Sequence, residues 1–287
     1  MKDGAMKARV SPVLLGVSLV AVSSFSDRTH AAIVASDDFS SGTLSGGTGW
    51  INSWTPTATS PATPVVSSAS ELTAGSGNYL PVAPTSVTSN TTHAVSRQFS
   101  SVVASSPYTV RFDWRMDTAL TNFNTFNDRV HIGGSAGNVN SDATFSWLVG
   151  VAGADNGATN VVPDGNWYVY DYTNNNGFSG SNLVDTGITL TTSVVYSFIV
   201  NVNPAARTYT VNISGSDSSS YTSGALDFRN QSSTPTNTLA FGSVTHATND
   251  NTTFSIDNIS IDGVPEPSSI ALAGLLGAIG LIRRRRD

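Results

Sequence analysis

Between residues 196 and 213 apolar and polar positions alternate with a period of two. Tyr196, Phe198, Val200 and Val202 fall on one side of an extended chain, and Ser197, Ile199 and Asn201 separate them. Asn203-Pro204-Ala205-Ala206 interrupts the run, and Tyr209, Val211 and Ile213 then alternate with Thr208, Thr210 and Asn212. Two such runs joined by a turn predict an antiparallel hairpin with one buried face. The segment 253–262 alternates too, but Phe254 and Ile256 are out of phase with Ile259 and Ile261. An extra residue at Asp257-Asn258 restores the pattern, which predicts a β-bulge there. Further strands are predicted at 92–99, 108–117, 129–133, 144–151, 167–172, 183–189 and 238–244, with Gly, Pro, Asn and Asp clusters between them. Many short strands and no βαβ pattern predict an all-β fold, an antiparallel β-sandwich. The Pro/Ser/Thr-rich stretch 55–70 reads as a long surface loop or irregular edge.

The two ends follow a different pattern. Lys2, Lys7 and Arg9 precede an apolar run at 10–25, and Thr29-His30-Ala31 offers small residues for cleavage before Ala32. Residues 1–31 therefore read as a signal peptide cut by signal peptidase. At the other end Pro265-Glu266-Pro267 precedes 13 apolar residues, Ile270 to Ile282, and then Arg283, Arg284, Arg285 and Arg286. As a short hydrophobic helix those 13 residues span about 20 Å, less than the roughly 30 Å hydrocarbon core. The four arginines orient such a helix with its end in the cytoplasm and the body outside.

Composition narrows the body, residues 32–263. Both lysines lie in the signal segment, so six arginines face 16 acidic residues, a net charge of −10. A chain so acidic is repelled by phosphate backbones, and nucleic-acid binding is not expected. With no cysteine, the exported body holds itself by core burial or with bound ions.

The proline-flanked glutamate, short apolar helix and terminal arginine cluster over 264–287 resemble the PEP-CTERM sorting signal. The resemblance implies that an exosortase-type membrane protease cuts at or near Pro265-Glu266-Pro267, releasing the body to the cell surface or to exopolysaccharide. Asp37-Asp38-Phe39, Trp50, the run from Tyr108 to Trp114, the 196–213 hairpin and the closing 254–259 run form a second resemblance. Their order is similar to the concanavalin A-like lectin/glucanase jelly roll. It implies either a carbohydrate-binding module or a glycoside hydrolase.

The residues themselves weigh against the hydrolase. Such enzymes need a close pair of carboxylates, and Glu71 is the only glutamate of the body. Asp113 and Asp117 share a strand face, but Arg111 and Arg115 lie on the same parity, the pattern of salt-bridged neighbours. His93, His131 and His246 form no metal-ligand spacing. The reading is therefore a non-catalytic exported protein. Two candidate sites remain. Tyr168, Tyr170 and Tyr172 share one strand face, which suits either stacking on sugar rings or a place in the core, with Trp167 and Val169 opposite. Asp37 and Asp38 open the body while Asp257 and Asp262 close it. If first and last strands are neighbours, these carboxylates converge on a structural Ca²⁺; otherwise they are ordinary strand-end aspartates.

Overall fold

The computed structural model describes residues 32–56, 64–73, 77–83, 91–118, 129–135, 144–152, 162–163, 165–172, 182–231, 236–245 and 253–263. The signal segment, the C-terminal hydrophobic helix, Pro265, Glu266, Pro267 and Arg283 to Arg286 lie outside the described residues. The chain forms β1 (Ala32–Asp37), β2 (Thr55–Pro56), β3 (Leu80–Val82), β4 (Thr91–Gln98), β5 (Tyr108–Met116), β6 (Arg129–Ser135), β7 (Phe145–Ala152) and β8 (Asn166–Tyr170). It continues through β9 (Leu183–Thr189), β10 (Val195–Asn203), β11 (Thr208–Gly215), β12 (Ser220–Thr222), β13 (Leu226–Asp227), β14 (Thr238–Thr245) and β15 (Phe254–Gly263). Among the described residues the helical content is one 3₁₀ turn, Val103–Ser105.

The strands make two antiparallel sheets. One runs β1-β15-β5-β10-β11-β12, with β3 beside β15 and β13 beside β11; the other runs β2-β4-β14-β6-β7-β8-β9. The hairpin is β10–β11, in continuous register from Tyr196↔Gly215 to Asn203↔Thr208. The bulge also lies where the phase change put it. The β15–β5 register shifts between Asp257 and Ser260, and Asn258 takes φ +50°, a conformation that asparagine tolerates. Before the bulge β15 pairs with β3 on its outer edge, and after it with β1. The extra residue thus sits where the strand changes neighbours. Within 55–70, Thr55–Pro56 pairs with β4 and Ser67 bridges Tyr79.

The core fills the space between the sheets and is dense in aromatic rings. Phe112 stacks on Phe198 with centroids 4.7 Å apart, while Phe241 meets Phe112 edge-on at 5.0 Å. Trp167 crosses from the seven-stranded sheet to meet Trp114 at 5.1 Å and Phe198 at 5.0 Å. Tyr209 ties the sheets by polar contact. Its hydroxyl donates to the carbonyl of Tyr170 on β8, lies 3.1 Å from that of Leu148 on β7, and stands 3.1 Å from the Tyr170 N–H. Burial holds its pKa far above the ordinary phenol value. Tyr209→Phe leaves those buried backbone groups short of a partner. It is expected to cost about 1–3 kcal/mol, read as a lowered urea midpoint at unchanged slope.

His93 on β4 is buried, and neither ring nitrogen makes a hydrogen bond among the described residues. Desolvation pushes its pKa below 6.5, because a buried imidazolium loses its hydration. The unfolded chain therefore binds the proton more readily, so stability is held above pH 6.5 and lost as the pH falls through that value. The melting temperature should be lower at pH 5.5 than at 7.5. His93→Leu should narrow that gap, and an unchanged gap would assign the effect to other groups.

Candidate functional site

The outward face of the seven-stranded sheet carries His131, Tyr168 and Asp185, whereas His93 and Arg97 on β4 share the inward parity of Val95. Register places Ala94, Gly242, His131, Gly150, Tyr168 and Asp185 in one row across β4, β14, β6, β7, β8 and β9. The glycines make room for rings on the adjoining strands. A methyl at Gly150 would lie 2.6 Å from the Tyr168 hydroxyl, one at Gly242 would lie 2.7 Å from His131 Nε2, and one at Gly133 would lie 2.6 Å from the Phe145 ring. Phe145 and His131 are themselves in ring contact at 5.4 Å. Strand glycines of this kind mark close approach. At the β9 end Asp185 Oδ1 accepts from Asn166 Nδ2 at 3.0 Å and from the Gly187 N–H at 2.9 Å, and Thr189 donates to Asn166 Oδ1 at 2.8 Å. Sequence reasoning had not singled out Asp185, Asn166 or this glycine row. Glycines inside otherwise β-prone runs, Gly133, Gly150 and Gly242, were the available signal.

The three tyrosines divide by exposure. Trp167 and Val169 point into the core between the sheets, and Tyr168 and Tyr170 point outward, but both are buried, 0 % and 1 % exposed. With Phe145, Leu148, Val162, Leu183 and Ala240 they form a second apolar cluster, against which the half-buried Tyr172 packs. The Tyr170 hydroxyl accepts from Asn182 Nδ2 at 2.8 Å, and the Arg229 guanidinium lies 5.3 Å from its ring centroid. Of the three rings, Tyr172 alone offers surface to a ligand in this arrangement.

First and last strands are neighbours, as the calcium expectation requires, yet the four aspartates separate. Asp37 is opposite Ile259, beside the bulge that holds Asp257, whereas Asp262 lies opposite Ile33 at the other end of β1. The Asp37 carboxylate is already committed. Oδ1 accepts from the Phe39 N–H at 2.9 Å, and Oδ2 accepts from Trp54 Nε1 at 3.0 Å and Arg97 Nη1 at 2.5 Å. Burial raises its pKa and lowers that of Arg97. Asp38 is exposed, and hydrogen bonding to the Ser40 side chain and, next, to the Ser40 N–H at 3.0 Å lowers its pKa. Asp257 accepts from the Asn258 N–H at 2.7 Å, and Asp262 pairs with Arg111 at 3.0 Å. A polar cleft of about 500 Å³ opens beside the bulge, lined by Ser36, Asp38, Thr48 and Asn258 among others. Among the described residues no group of three His, Asp or Glu side chains is placed to hold a metal ion. Calorimetry with and without chelator tests the calcium reading: a lower melting temperature in chelator supports it, and an unmoved transition removes it.

The Arg/Asp row of β5 forms neighbour pairs on the outer face of the other sheet. Arg115 meets Asp117 at 2.7 Å, Arg111 meets Asp262, and Asp113 accepts from Ser197 at 2.5 Å and from Asn258 at 2.8 Å. Such a set spends its carboxylates on its own strands.

β15 delivers the chain, at Gly263, directly to the C-terminal segment. Residues 263–286 match the PEP-CTERM protein-sorting motif. The PEP-CTERM motif marks an exported chain, anchored in the membrane and then processed by exosortase-type machinery. Among the described residues no helix is long and apolar enough to cross a membrane. No curated protein matches the chain in sequence. Among solved structures, the Lotus tetragonolobus seed lectin is similar at 11 % identity and TM-score 0.45, over 73 % of this chain and 98 % of the lectin. The catalytic domain of a glycoside hydrolase family 131 protein from Coprinopsis cinerea is similar at 8 % identity and TM-score 0.48, over 71 % and 78 %. A carbohydrate esterase of Shiga toxin-encoding bacteriophage phi24B is similar at 12 % identity and TM-score 0.48, over 82 % and 99 %.

Proposed function

We propose that this PEP-CTERM chain delivers a non-catalytic β-sandwich to the cell surface or extracellular matrix, where it associates with exopolysaccharide. Signal peptidase removes residues 1–31, and an exosortase-type protease cuts at Pro265-Glu266-Pro267. The observation that carries this reading is the sorting motif joined directly to the last strand of the sandwich. Prolines on both sides of Glu266 keep a helix from extending through the cut, which leaves that peptide extended for a protease.

The distribution of carboxylates supports a role without catalysis. Asp185 is the single carboxylate among the described strand residues of the outward seven-stranded face, and it is held by Asn166 and Gly187. A glycoside hydrolase needs two carboxyls across a sugar. The polar, acidic and lysine-free surface suits a hydrated matrix, in which self-repulsion keeps the protein soluble.

The test is intact mass of the protein recovered from culture medium of an exosortase-bearing host. Wild type should lack both ends, whereas a Pro265→Ala/Glu266→Ala/Pro267→Ala chain should stay with the membrane fraction. Secretion of that variant with its C-terminus intact would sink the sorting role. Release of reducing sugar from any extracellular polysaccharide by the purified body would replace the non-catalytic reading with a hydrolase.

A further inference from the structure

The β1–β15 ladder begins with the pair Ala32↔Gly263. Ala32 follows the first expected cut and Gly263 lies two residues before Pro265, so both apolar terminal segments attach at one end of the sandwich. The same end continues across the sheet through Tyr108, Val202, Tyr209 and Leu226, joined by register. In the facing sheet it carries Gln98 and Thr238, because the Tyr108 hydroxyl donates to the Thr236 carbonyl and the Phe99 and Tyr108 rings touch at 5.5 Å.

Four large aliphatic side chains are strongly exposed among the described residues, and three of them belong to this end. Ile33 is 65 % exposed and follows Ala32; Val102 is 78 % exposed in the connection from β4 to β5; Ile51 is 63 % exposed and bonds through its N–H to the Gln98 carbonyl. Arg207, exposed in the β10–β11 turn, and Asp227, exposed opposite Thr208, put one cation and one anion at the same end. Isolated exposed aliphatics are ordinary, but their gathering at the one end that bears both membrane-directed segments is not expected of chance placement.

Chain length makes the placement consequential. Six residues, 264–269, separate Gly263 from Ile270, where the apolar segment begins. Fully extended, that link reaches about 25 Å, whereas the ten residues of β15 alone run about 33 Å. A tether shorter than the domain it holds does not let the domain turn over.

We infer that the Ala32/Gly263 end is the membrane-facing end of the anchored precursor, resting on the lipid surface through Ile33, Ile51 and Val102. The inference rests on the sorting reading proposed above. The occupant of this patch is a phospholipid bilayer, since the covalent link brings a bilayer within reach of these side chains in every anchored molecule. Once the tail is cut, a body of net charge −10 is repelled by anionic lipid and leaves. The aliphatic rim therefore matters before processing and not after it.

The chain has no cysteine, so single labels are clean. The full-length chain carrying Val102→Cys or Thr191→Cys, each with a polarity-sensitive fluorophore, is reconstituted into phosphatidylethanolamine/phosphatidylglycerol vesicles that contain headgroup-quencher lipid. Residue 191 marks the far end, beside Ser193, whose N–H bonds the Met116 carbonyl at the end of β5. Several-fold stronger quenching at 102 than at 191 is expected. Equal quenching in chains that co-float with the vesicles overturns the orientation and leaves the anchoring intact; chains that fail to float overturn both. With a twenty-residue Gly/Ser insertion after Gly263 the difference between the two sites should shrink but persist, since the aliphatic rim still holds this end to lipid. Complete levelling would overturn the role of Ile33, Ile51 and Val102 and leave the tether alone as the cause.

Discussion

Replacing Arg97 with alanine is expected to destabilise the sandwich by about 3–5 kcal/mol, the cost of orphaning one charge of a buried ion pair. Arg97 is 3 % exposed and Asp37 2 %. The guanidinium bonds Asp37 and the Asn52 carbonyl, with its carbon 5.0 Å from the Trp50 ring centroid and 5.9 Å from that of Trp54. Removing it strands the Asp37 carboxylate among Trp54, Phe39 and backbone, and empties the slot between two indoles. The pair also joins the sheets, since Asp37 ends β1 and Arg97 lies on β4. Urea unfolding reads the loss as a fall in midpoint. Asp37→Asn together with Arg97→Met keeps the volume while discharging both partners, and should recover much of the stability. If the double variant is no better than Arg97→Ala, the damage lies in packing and the charge account fails.

Trp167→Ala should be comparably severe, about 3–5 kcal/mol for a large ring deleted from a packed core. Trp167 touches Trp114, Tyr196 and Phe198, all from the opposite sheet. Its neighbour in sequence, Tyr168, points the other way and lies over Gly150. Comparing Trp167→Ala with Tyr168→Ala separates the interior from the outward face. Trp167→Ala is expected to change near-ultraviolet dichroism throughout the aromatic cluster and to lower the midpoint strongly. A midpoint shift below about 1 kcal/mol, the size of a surface change, would mean that the ring does not bridge the sheets.

Where the sequence was legible, periodicity carried the information. The β10–β11 hairpin and the shift at Asp257-Asn258 follow from which residues are apolar, and the long strands of both sheets start and stop within a residue or two of their turn signals. The short strands were not legible. β2, β3, β12 and β13 hold two or three residues each, too few to show a period, and exist because a neighbouring edge offers them a ladder. β1, six residues, shows no clear alternation of apolar and polar side chains. The faces of β8 were legible as faces: parity alone puts Trp167 and Val169 opposite Tyr168 and Tyr170. Their burial on both sides was not, because what covers a sheet comes from remote parts of the chain. The Asp37–Arg97 pair is invisible for the same reason. Sixty residues separate its partners, and no spacing rule links a strand-end aspartate to one arginine among six. The sequence thus leaves a Ca²⁺ site and ordinary strand-end aspartates side by side, because it does not reveal that Asp37 has its counter-charge within the fold.

The pairing of β1 with β15 also orders events during export. Among the described residues the first strand borders the last and, through Ser36 alone, Thr48, so its ladder must wait until more than two hundred further residues have crossed. Contacts of such sequence separation form slowly, and until then β1 is an open edge of the kind that invites pairing with another molecule. On the sorting reading proposed above, the closing strand emerges together with the apolar tail, and an anchored sandwich closes its own seam before it is released.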